Sequence, residues 1–211
     1  MKYALLSVTD KSGIGDFAKG LKEAGYTLLS TGGTLRTIKE AGVEVVAIDD
    51  YTKFPEMLDG RVKTLHPMVH GGILYKRDEQ SHVDTVKEHG IESIDLVCVN
   101  LYAFEETYHA KKSDEELIEN IDIGGPSMIR SAAKNHKDVY VVTDPEDYDR
   151  MLDHLKSPED DLAFRRELAM KAFSLTAYYD SMISRYFREL TGKTSEYTTI
   201  GMRKDSDLRY G

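Results

Sequence analysis

Apolar residues along the first three quarters of the chain fall either in short continuous runs or at helical spacing. A run at 3–8 precedes apolar positions that recur at three- and four-residue steps from Ile14 to Ala24, which predicts a strand followed by a helix. Gly25 ends that helix, because glycine readily adopts the positive φ of a helix terminus. The same alternation continues along the chain. The predicted strands are 3–8, 26–30, 43–48, 96–100 and 138–143, and the further predicted helices are 34–41, 81–89, 113–120, 126–134 and 145–156.

Strands separated by helices are typical of the α/β class, a parallel sheet with helices on both faces. The segment 96–100 supports this class, because it is apolar without alternation, as in a strand buried on both faces. From about 159 to 190 the apolar positions recur at helical steps. This stretch predicts a C-terminal helical extension, as one long helix or two with a bend, that packs across the sheet layer or a partner subunit. Residues 191–211 have little periodicity and are interpreted as a linker.

Composition and charge narrow the possible partners. Hydrophobic residues make up 40% and charged residues 31%, the profile of a soluble globular protein, and 211 residues suit one domain or a domain plus a short extension. A net charge of −9 argues against nucleic acid, and no apolar run approaches the length of a membrane span. The single cysteine, Cys98, excludes an internal disulfide and fits a reducing compartment, so we predict a cytoplasmic protein. Basic residues within glycine-rich or hydroxyl-rich segments favour a small anion as the ligand. These residues are Lys11, Arg61, Lys63, Arg130 and Lys134.

Several loops carry polar residues where ligands bind in open α/β sheets, beyond the carboxyl ends of the strands. They lie at 7–11, 30–34, 100–102 and 121–127. The loop 30–34 suits a phosphate, because its glycines let the backbone approach closely and the following helix presents free N–H groups. A helix cap combined with a tight turn explains the same residues, and spacing alone does not separate the two interpretations.

Two further segments hold cations. Arg61 and Lys63 stand at alternate positions, so in an extended segment both side chains point the same way. A solvated basic loop is the simpler interpretation of this segment taken alone. Lys134 ends the predicted helix 126–134, where a cation complements the helix dipole.

His66 and His70 are four residues apart, which is a spacing seen in metal sites. Pro67 follows His66 directly, however, and no carboxylate lies at metal-ligand spacing. We therefore expect two loop histidines and no metal.

Taken together, these segments resemble the IMP (inosine monophosphate) cyclohydrolase domain of the bifunctional purine biosynthesis protein, in the same order and spacing. The matching segments are 9–11, 30–34, 54–58, 60–67, 100–102, 121–125, 132–136, 171–173 and 186–187. One departure is Ala103, where the family usually has proline. The resemblance implies a methylglyoxal-synthase-like fold and a cyclohydrolase domain over 1–190. It also implies that 191–211 is a linker whose last residues, 207–211, begin a formyltransferase domain that this sequence lacks.

The resemblance also implies a reaction, the cyclisation of 5-formamidoimidazole-4-carboxamide ribonucleotide to IMP with loss of water, by a hydrolase of the cyclic amidine class. Lys134 matches the family's proton-transfer lysine. Lys63 and Lys134 would stabilise or protonate oxygen, Tyr102 would relay a proton, and Asp122 would orient the amide or accept from it. No metal or organic cofactor is implied. The implied binding residues are Thr9, Asp10, Lys11, Thr31, Gly32, Gly33, Thr34, Arg61, Val62, Lys63, Thr64, Val99, Asn100, Asp122 and Ile123.

Two alternatives remain at this point. The implied fold is also that of methylglyoxal synthase, a lyase acting on a triose phosphate, although 121–125 and 132–136 speak against that activity. A regulatory domain that senses nucleotides, as in carbamoyl phosphate synthetase, would not need Lys63, Tyr102 and Asp122 together with Lys134. The expected partner is a small purine nucleotide, without nucleic acid or membrane, and the apolar stripe at 162–187 permits a homodimer.

Overall fold

The computed structural model describes residues 2–158, 161–204 and 206, and five segments within them form one parallel sheet. The strands are β1 (Lys2–Ser7), β2 (Tyr26–Ser30), β3 (Val46–Ala47), β4 (Ile94–Val99) and β5 (Tyr140–Val142). Their order across the sheet is β3-β2-β1-β4-β5. In this register Leu5 of β1 pairs with Leu29 on one side and with Val97 on the other, at the centre of the core.

Helices cover both faces of this sheet. They are α1 (Ile14–Glu23), α2 (Gly32–Glu40), α3 (Ile48–Thr52), α4 (Pro67–Leu74), α5 (Gln80–Glu88), α6 (Phe104–His109), α7 (Asp114–Glu119), α8 (Gly124–Lys134), α9 (Tyr148–Lys156) and α10 (Asp161–Thr191), with a 3₁₀ turn at Pro145–Asp147. The chain moves outwards from β1 to β3 and then returns to build β4 and β5 on the other side. Right-handed crossovers therefore put α1 and α2 on one face and the helices between β3 and β5 on the other. Accordingly, α1 packs against α2 and α9, whereas α8 packs against α4 and α10. The predicted α/β class is confirmed.

Two hydrophobic cores stabilise the described part of the chain. The larger one lies around the sheet, where central strand residues such as Leu5, Leu29 and Val97 are fully buried and each contributes about 1.5–3 kcal/mol. The smaller core lies under α6, α7 and the second half of α10, and it contains Phe104, Leu117, Tyr179 and Tyr186. This second core supports the loop between α7 and α8, which carries part of the candidate site.

The predicted third strand, 43–48, is wrong in its extent. Only Val46 and Ala47 pair with β2, and Ile48 already begins α3. At the other end, the Val43 N–H closes α2 by bonding to the Ile38 carbonyl at 3.2 Å, with Gly42 at φ 76°. The backbone of Val43 therefore completes a helix terminus of the Schellman type and does not extend the strand.

Three helices, α3, α4 and α6, are absent from the sequence prediction. In α4 the pair Gly71 and Gly72 suggests a loop, but both glycines serve close packing. A Cβ on Gly72 would lie 2.6 Å from the Glu92 carbonyl oxygen, and one on Gly71 would lie 3.0 Å from Ile91. The glycines allow α4 to approach the segment that leads into β4, which a local pattern does not reveal.

The long apolar stripe forms one continuous helix, α10, of 31 residues. Residues 192–204 and 206 adopt neither helix nor strand, and the predicted start of a second domain at 207–211 lies outside the described residues. None of the helices in the described part of the chain is long and apolar enough to cross a membrane.

Candidate active site

A cavity of about 700 Å³ opens at the carboxyl ends of β2, β1 and β4. The chain reverses its direction of sheet building between β1 and β4, and ligands in open α/β sheets bind at such a switch point. All of the binding residues predicted from the sequence line this cavity except Asp10 and Val62. Of the predicted catalytic residues, Lys63, Tyr102 and Asp122 line it and Lys134 does not.

One end of the cavity is suited to an anion. Helix α2 begins at Gly32 without a side-chain cap. The N–H groups of its first turn therefore have no hydrogen bond to a capping side chain. Two lysines lie at the same turn. A Cβ on Gly33 would lie 3.5 Å from the Lys11 ammonium, and one on Gly32 would lie 3.8 Å from the Lys63 ammonium. Two positive charges at a helix N-terminus form a binding site for a phosphate group.

The hydroxyl groups around this turn have structural partners. Thr34 Oγ1 donates to the Val8 carbonyl and accepts from the Val8 N–H, both at 2.9 Å, and Thr31 Oγ1 bonds to Ser7 Oγ at 2.8 Å. A hydroxyl has one proton, so the Thr34 side chain cannot also donate to a ligand. Thr34 therefore fixes the β1–α1 loop against α2, and the backbone supplies the donors at this position.

Asn100, at the end of β4, holds the first loop in place. Its Oδ1 accepts from the N–H groups of Thr9 at 2.6 Å and Asp10 at 3.1 Å, and its Nδ2 donates to the Asp10 carbonyl at 3.1 Å. The Asp10 carboxylate in turn accepts from Ser12, which lowers the pKa of Asp10. Asp10 is outside the cavity lining and shapes the loop that presents Lys11.

The other end of the cavity holds groups that can exchange protons. Asp122 Oδ1 accepts from the Gly125 N–H at 2.8 Å at the start of α8. Burial raises the pKa of Asp122, although hydrogen bonding from the backbone of Gly125 and Tyr102 opposes the rise. Tyr102 is half exposed. Partial burial and, to a smaller extent, the negative charge of Asp122 raise the pKa of its phenol, and the positive charge of Lys63 opposes the rise. A carboxyl group with a raised pKa next to a phenol is a suitable pair for acid–base work.

The two cations of the 60–67 segment are paired with carboxylates that the sequence analysis missed. Met57 and Val62 form a short antiparallel bridge, and this hairpin brings the Glu56 carboxylate to the Lys63 ammonium. Arg61 pairs with Glu119 of α7 at 2.5 Å. All four side chains line the cavity, and the Arg61 and Glu119 side chains remain more than half exposed. Nothing in the local sequence marks Glu119, because it occupies an ordinary exposed position on a short helix.

Lys134 lies away from this cavity. It is exposed at the last residue of α8, whereas Gly124 and Gly125 at the first turn line the cavity. Lys134 follows Gly125 by nine positions on the helix, which is about 14 Å along the axis. Its catalytic role stays a prediction that rests on the resemblance.

The two histidines have local partners. His66 caps α4 by accepting from the Met68 N–H at 3.2 Å, as a loop residue should. His70 lies within α4 and not in a loop; its Nδ1 bonds to Ser131 Oγ at 3.1 Å, and burial lowers its pKa. Within the described ranges no three His, Cys, Asp or Glu side chains are arranged to hold a metal ion.

Comparison with protein families agrees with this architecture. Residues 13–127 match the MGS-like domain, and residues 132–211 match the AICARFT/IMPCHase bienzyme. The chain belongs to the family of MGS-like domains, and its C-terminal part is similar to the AICARFT/IMPCHase bienzyme. The family resemblance predicted from the sequence motifs is thereby confirmed.

Individual relatives are similar over the whole chain. The bifunctional purine biosynthesis protein PurH of Clostridioides difficile (strain 630) is 57% identical over 211 residues, which are 100% of this chain and 41% of that protein. PurH of Oceanobacillus iheyensis is 58% identical over 212 residues, 100% of this chain and 42% of that protein. The chain thus spans about two fifths of these relatives. The crystal structure of ForH superimposes with a TM-score of 0.78 at 36% identity, covering 89% of this chain and 97% of that one.

Proposed function

We propose that this chain is an IMP cyclohydrolase that converts 5-formamidoimidazole-4-carboxamide ribonucleotide to IMP. The observation that carries the proposal is one cavity with an anion site at one end and an acid–base pair at the other. A 5′-phosphate at the Gly32–Gly33 turn leaves the base to extend towards Tyr102 and Asp122. A volume of about 700 Å³ is in the range of small-ligand sites. The purine-biosynthesis relatives support a purine nucleotide as the substrate.

The chemistry explains why these side chains are needed. The carboxamide nitrogen attacks the formyl carbon, and the formyl oxygen leaves as water with one proton from the carboxamide nitrogen and one from the formamide nitrogen. Both reacting groups belong to one molecule, so little entropy is lost in bringing them together. The carboxamide nitrogen is a poor nucleophile, and the formyl oxygen gains negative charge as it is attacked. Asp122 accepts from or orients the amide, Tyr102 relays a proton, and the Lys63 ammonium stabilises the oxygen.

A direct assay tests this proposal. The purified chain is incubated with the formylated ribonucleotide, and IMP formation is followed by absorbance and chromatography. Turnover with unchanged rates in the presence of a chelator is the expected result. Phosphate release from dihydroxyacetone phosphate would instead indicate a methylglyoxal-synthase-like lyase. Tight IMP binding without any turnover would indicate a nucleotide-sensing domain.

Lys11 is expected to act on binding. Lys11→Ala should raise KM more than it lowers kcat, because this ammonium lies at the phosphate end of the cavity and away from the reacting atoms. Lys19→Ala is a matched control, since Lys19 pairs with the exposed Asp16 on the surface of α1. Steady-state kinetics of both variants give the comparison. Equal affinity for the nucleotide and for its phosphate-free nucleoside would show that the turn is only a helix cap.

We further propose that residues 1–190 act as the cyclohydrolase domain, in the cytoplasm, as a homodimer. Cys98 is a buried free thiol, which fits a reducing compartment. Support for a dimer comes from α10, where Met170 is 57% and Phe173 is 41% exposed. In a homodimer the cavity of the second copy is another site at which Lys134 would act. Sedimentation of the purified chain measures the oligomeric state.

A further inference from the structure

A buried tyrosine of α10 holds the segment that carries Asp122. The hydroxyl group of Tyr179 donates to the Asn120 carbonyl at 2.7 Å and accepts from the Asp122 N–H at 2.9 Å. One oxygen therefore joins both ends of a three-residue segment, at the point where the chain turns from α7 into α8. Tyr179 is 4% exposed and does not line the cavity. Tyr179 therefore affects the reaction only through the residues that its hydroxyl group holds.

Packing fixes this hydroxyl group in its position. The Tyr179 ring meets Phe104 edge-to-face with 6.1 Å between the ring centroids, inside the smaller core. Side chains in such a core occupy one rotamer, so the oxygen has little freedom to follow a moving loop. Burial raises the pKa of Tyr179 to about 12, and the hydroxyl group therefore keeps the proton that it donates to Asn120 throughout the neutral range.

Asp122 is thereby held at two points. Its main-chain N–H bonds to Tyr179, and its carboxylate accepts from the Gly125 N–H at 2.8 Å. Gly125 has no room for a side chain, because a Cβ there would collide with this carboxylate. The hydrogen bond from the Asp122 N–H to Tyr179 fixes the backbone of this residue, and the hydrogen bond from the Gly125 N–H fixes its carboxylate. A shift of about 1 Å at a reacting group can cost 10²-fold in rate.

We propose that Tyr179 is a positioning residue for Asp122 in the cyclisation reaction. The proposal rests on the function proposed above, because it assigns Asp122 to the reacting end of the cavity. Without the hydroxyl group the 120–122 segment loses both of its bonds to α10. Asp122 then becomes more mobile and more exposed to water.

Tyr178 provides a matched control in the adjacent position of the same helix. Its hydroxyl group donates to Glu105 of α6 at 2.6 Å, so it also joins α10 to the helices beside the cavity. Tyr178→Phe removes one hydroxyl group and one tertiary hydrogen bond without touching the Asp122 segment. The two phenylalanine variants thus separate positioning of Asp122 from general stabilisation of α10.

The experiment compares Tyr179→Phe, Tyr178→Phe and the unchanged chain in two measurements. In steady-state kinetics, Tyr179→Phe should lower kcat about 10-fold or more with little change in KM, and Tyr178→Phe should change neither. In a ¹³C NMR titration of the carboxyl groups, Asp122 should titrate above the ordinary aspartate range in the unchanged chain. In Tyr179→Phe its pKa should fall towards that range, because hydration favours the charged form. The charged and titratable groups around this segment are Tyr102, Lys63, Glu119, Tyr179 and Asp180.

Each outcome decides one question. If Tyr179→Phe matches the unchanged chain in both measurements, the positioning proposal is wrong. Equal losses in the two phenylalanine variants, or a kcat loss that only follows a lowered melting temperature, would also overturn it. If the unchanged chain binds IMP but does not cyclise the substrate, the proposed function fails, and the NMR titration still tests whether Tyr179 positions Asp122.

Discussion

Replacing Lys63 by alanine is expected to lower the rate of cyclisation about 100-fold or more, while IMP still binds. In the proposed mechanism the ammonium group donates to the formyl oxygen, and its ion pair with Glu56 holds it in place before the substrate arrives. A preorganised donor acts mainly where charge develops, so the loss should fall on kcat. Single-turnover cyclisation measures the chemical step, and calorimetry measures IMP binding in parallel.

The same two measurements also define the result that would contradict this role of Lys63. The Lys63 ammonium also lies near the Gly32 turn, next to Lys11. If Lys63→Ala raises KM and leaves the single-turnover rate unchanged, Lys63 belongs to the phosphate site and the oxygen has another donor. Lys19→Ala again serves as the control for the loss of a surface charge.

Lys134→Ala should also cyclise slowly, and mixing experiments can locate its action. If Lys134 acts in the cavity of a second copy, an equal mixture of Lys63→Ala and Lys134→Ala chains contains mixed dimers with one intact site. Random pairing then restores roughly a quarter of the sites. The expected result is activity in the mixture far above that of either variant alone. Near-normal turnover by Lys134→Ala alone would remove this lysine from the mechanism.

The largest expected loss of stability comes from Lys171→Met. Asp147 is 3% exposed, and its carboxylate accepts from the Lys171 ammonium at 2.7 and 2.8 Å. This pair joins the 3₁₀ turn at Pro145–Asp147 to α10. Removal of the lysine leaves a buried charge without a partner, which typically costs 3–5 kcal/mol of the free energy of unfolding. Lys171 itself is partly exposed, so we expect the lower end, about 3 kcal/mol.

Urea unfolding followed by circular dichroism measures this difference. Lys19→Met breaks an exposed ion pair of the same type and should change the free energy of unfolding by less than about 1 kcal/mol. The double variant with Asp147→Asn should recover part of the loss, because it removes the unpaired charge. Equal destabilisation by Lys171→Met and Lys19→Met would mean that the buried pair contributes no more than a surface pair.

Features that depend on neighbouring residues were predictable from the sequence. The apolar spacing of Ile14, Phe17 and Leu21 predicts α1, and all three side chains are buried. Gly25 adopts a φ of 87°, as predicted for a residue that ends a helix. Helical period and glycine conformation are local properties of the backbone, so a single chain segment reveals them.

Features that depend on distant residues were not predictable in the same way. The bond between Tyr179 and the Asp122 N–H joins residues 57 positions apart, and the pairing of Arg61 with Glu119 joins residues 58 apart. Tyrosine on a helix is ordinary in a core, and glutamate on a helix is ordinary at a surface. Their partners follow from how α7 and α10 pack around the cavity. The parallel topology brought the predicted binding loops together, but the contacts that fix each side chain required the structure.

The ion pairs that line the cavity make ligand binding a competition between anions. Lys63 and Arg61 already have internal counter-ions, Glu56 and Glu119, so an incoming oxyanion at either cation competes with a carboxylate. Dissolved salt screens both the internal ion pairs and the ion pairs that the ligand forms. Weaker internal pairs favour binding and weaker pairs with the ligand oppose it, so the two effects on the affinity have opposite signs. A simple anion such as chloride offers no further contacts to offset the loss of the carboxylate. A ligand that also contacts Lys11 and the far end of the cavity gains such contacts. Glu56 and Glu119 therefore favour larger anionic ligands over small ions.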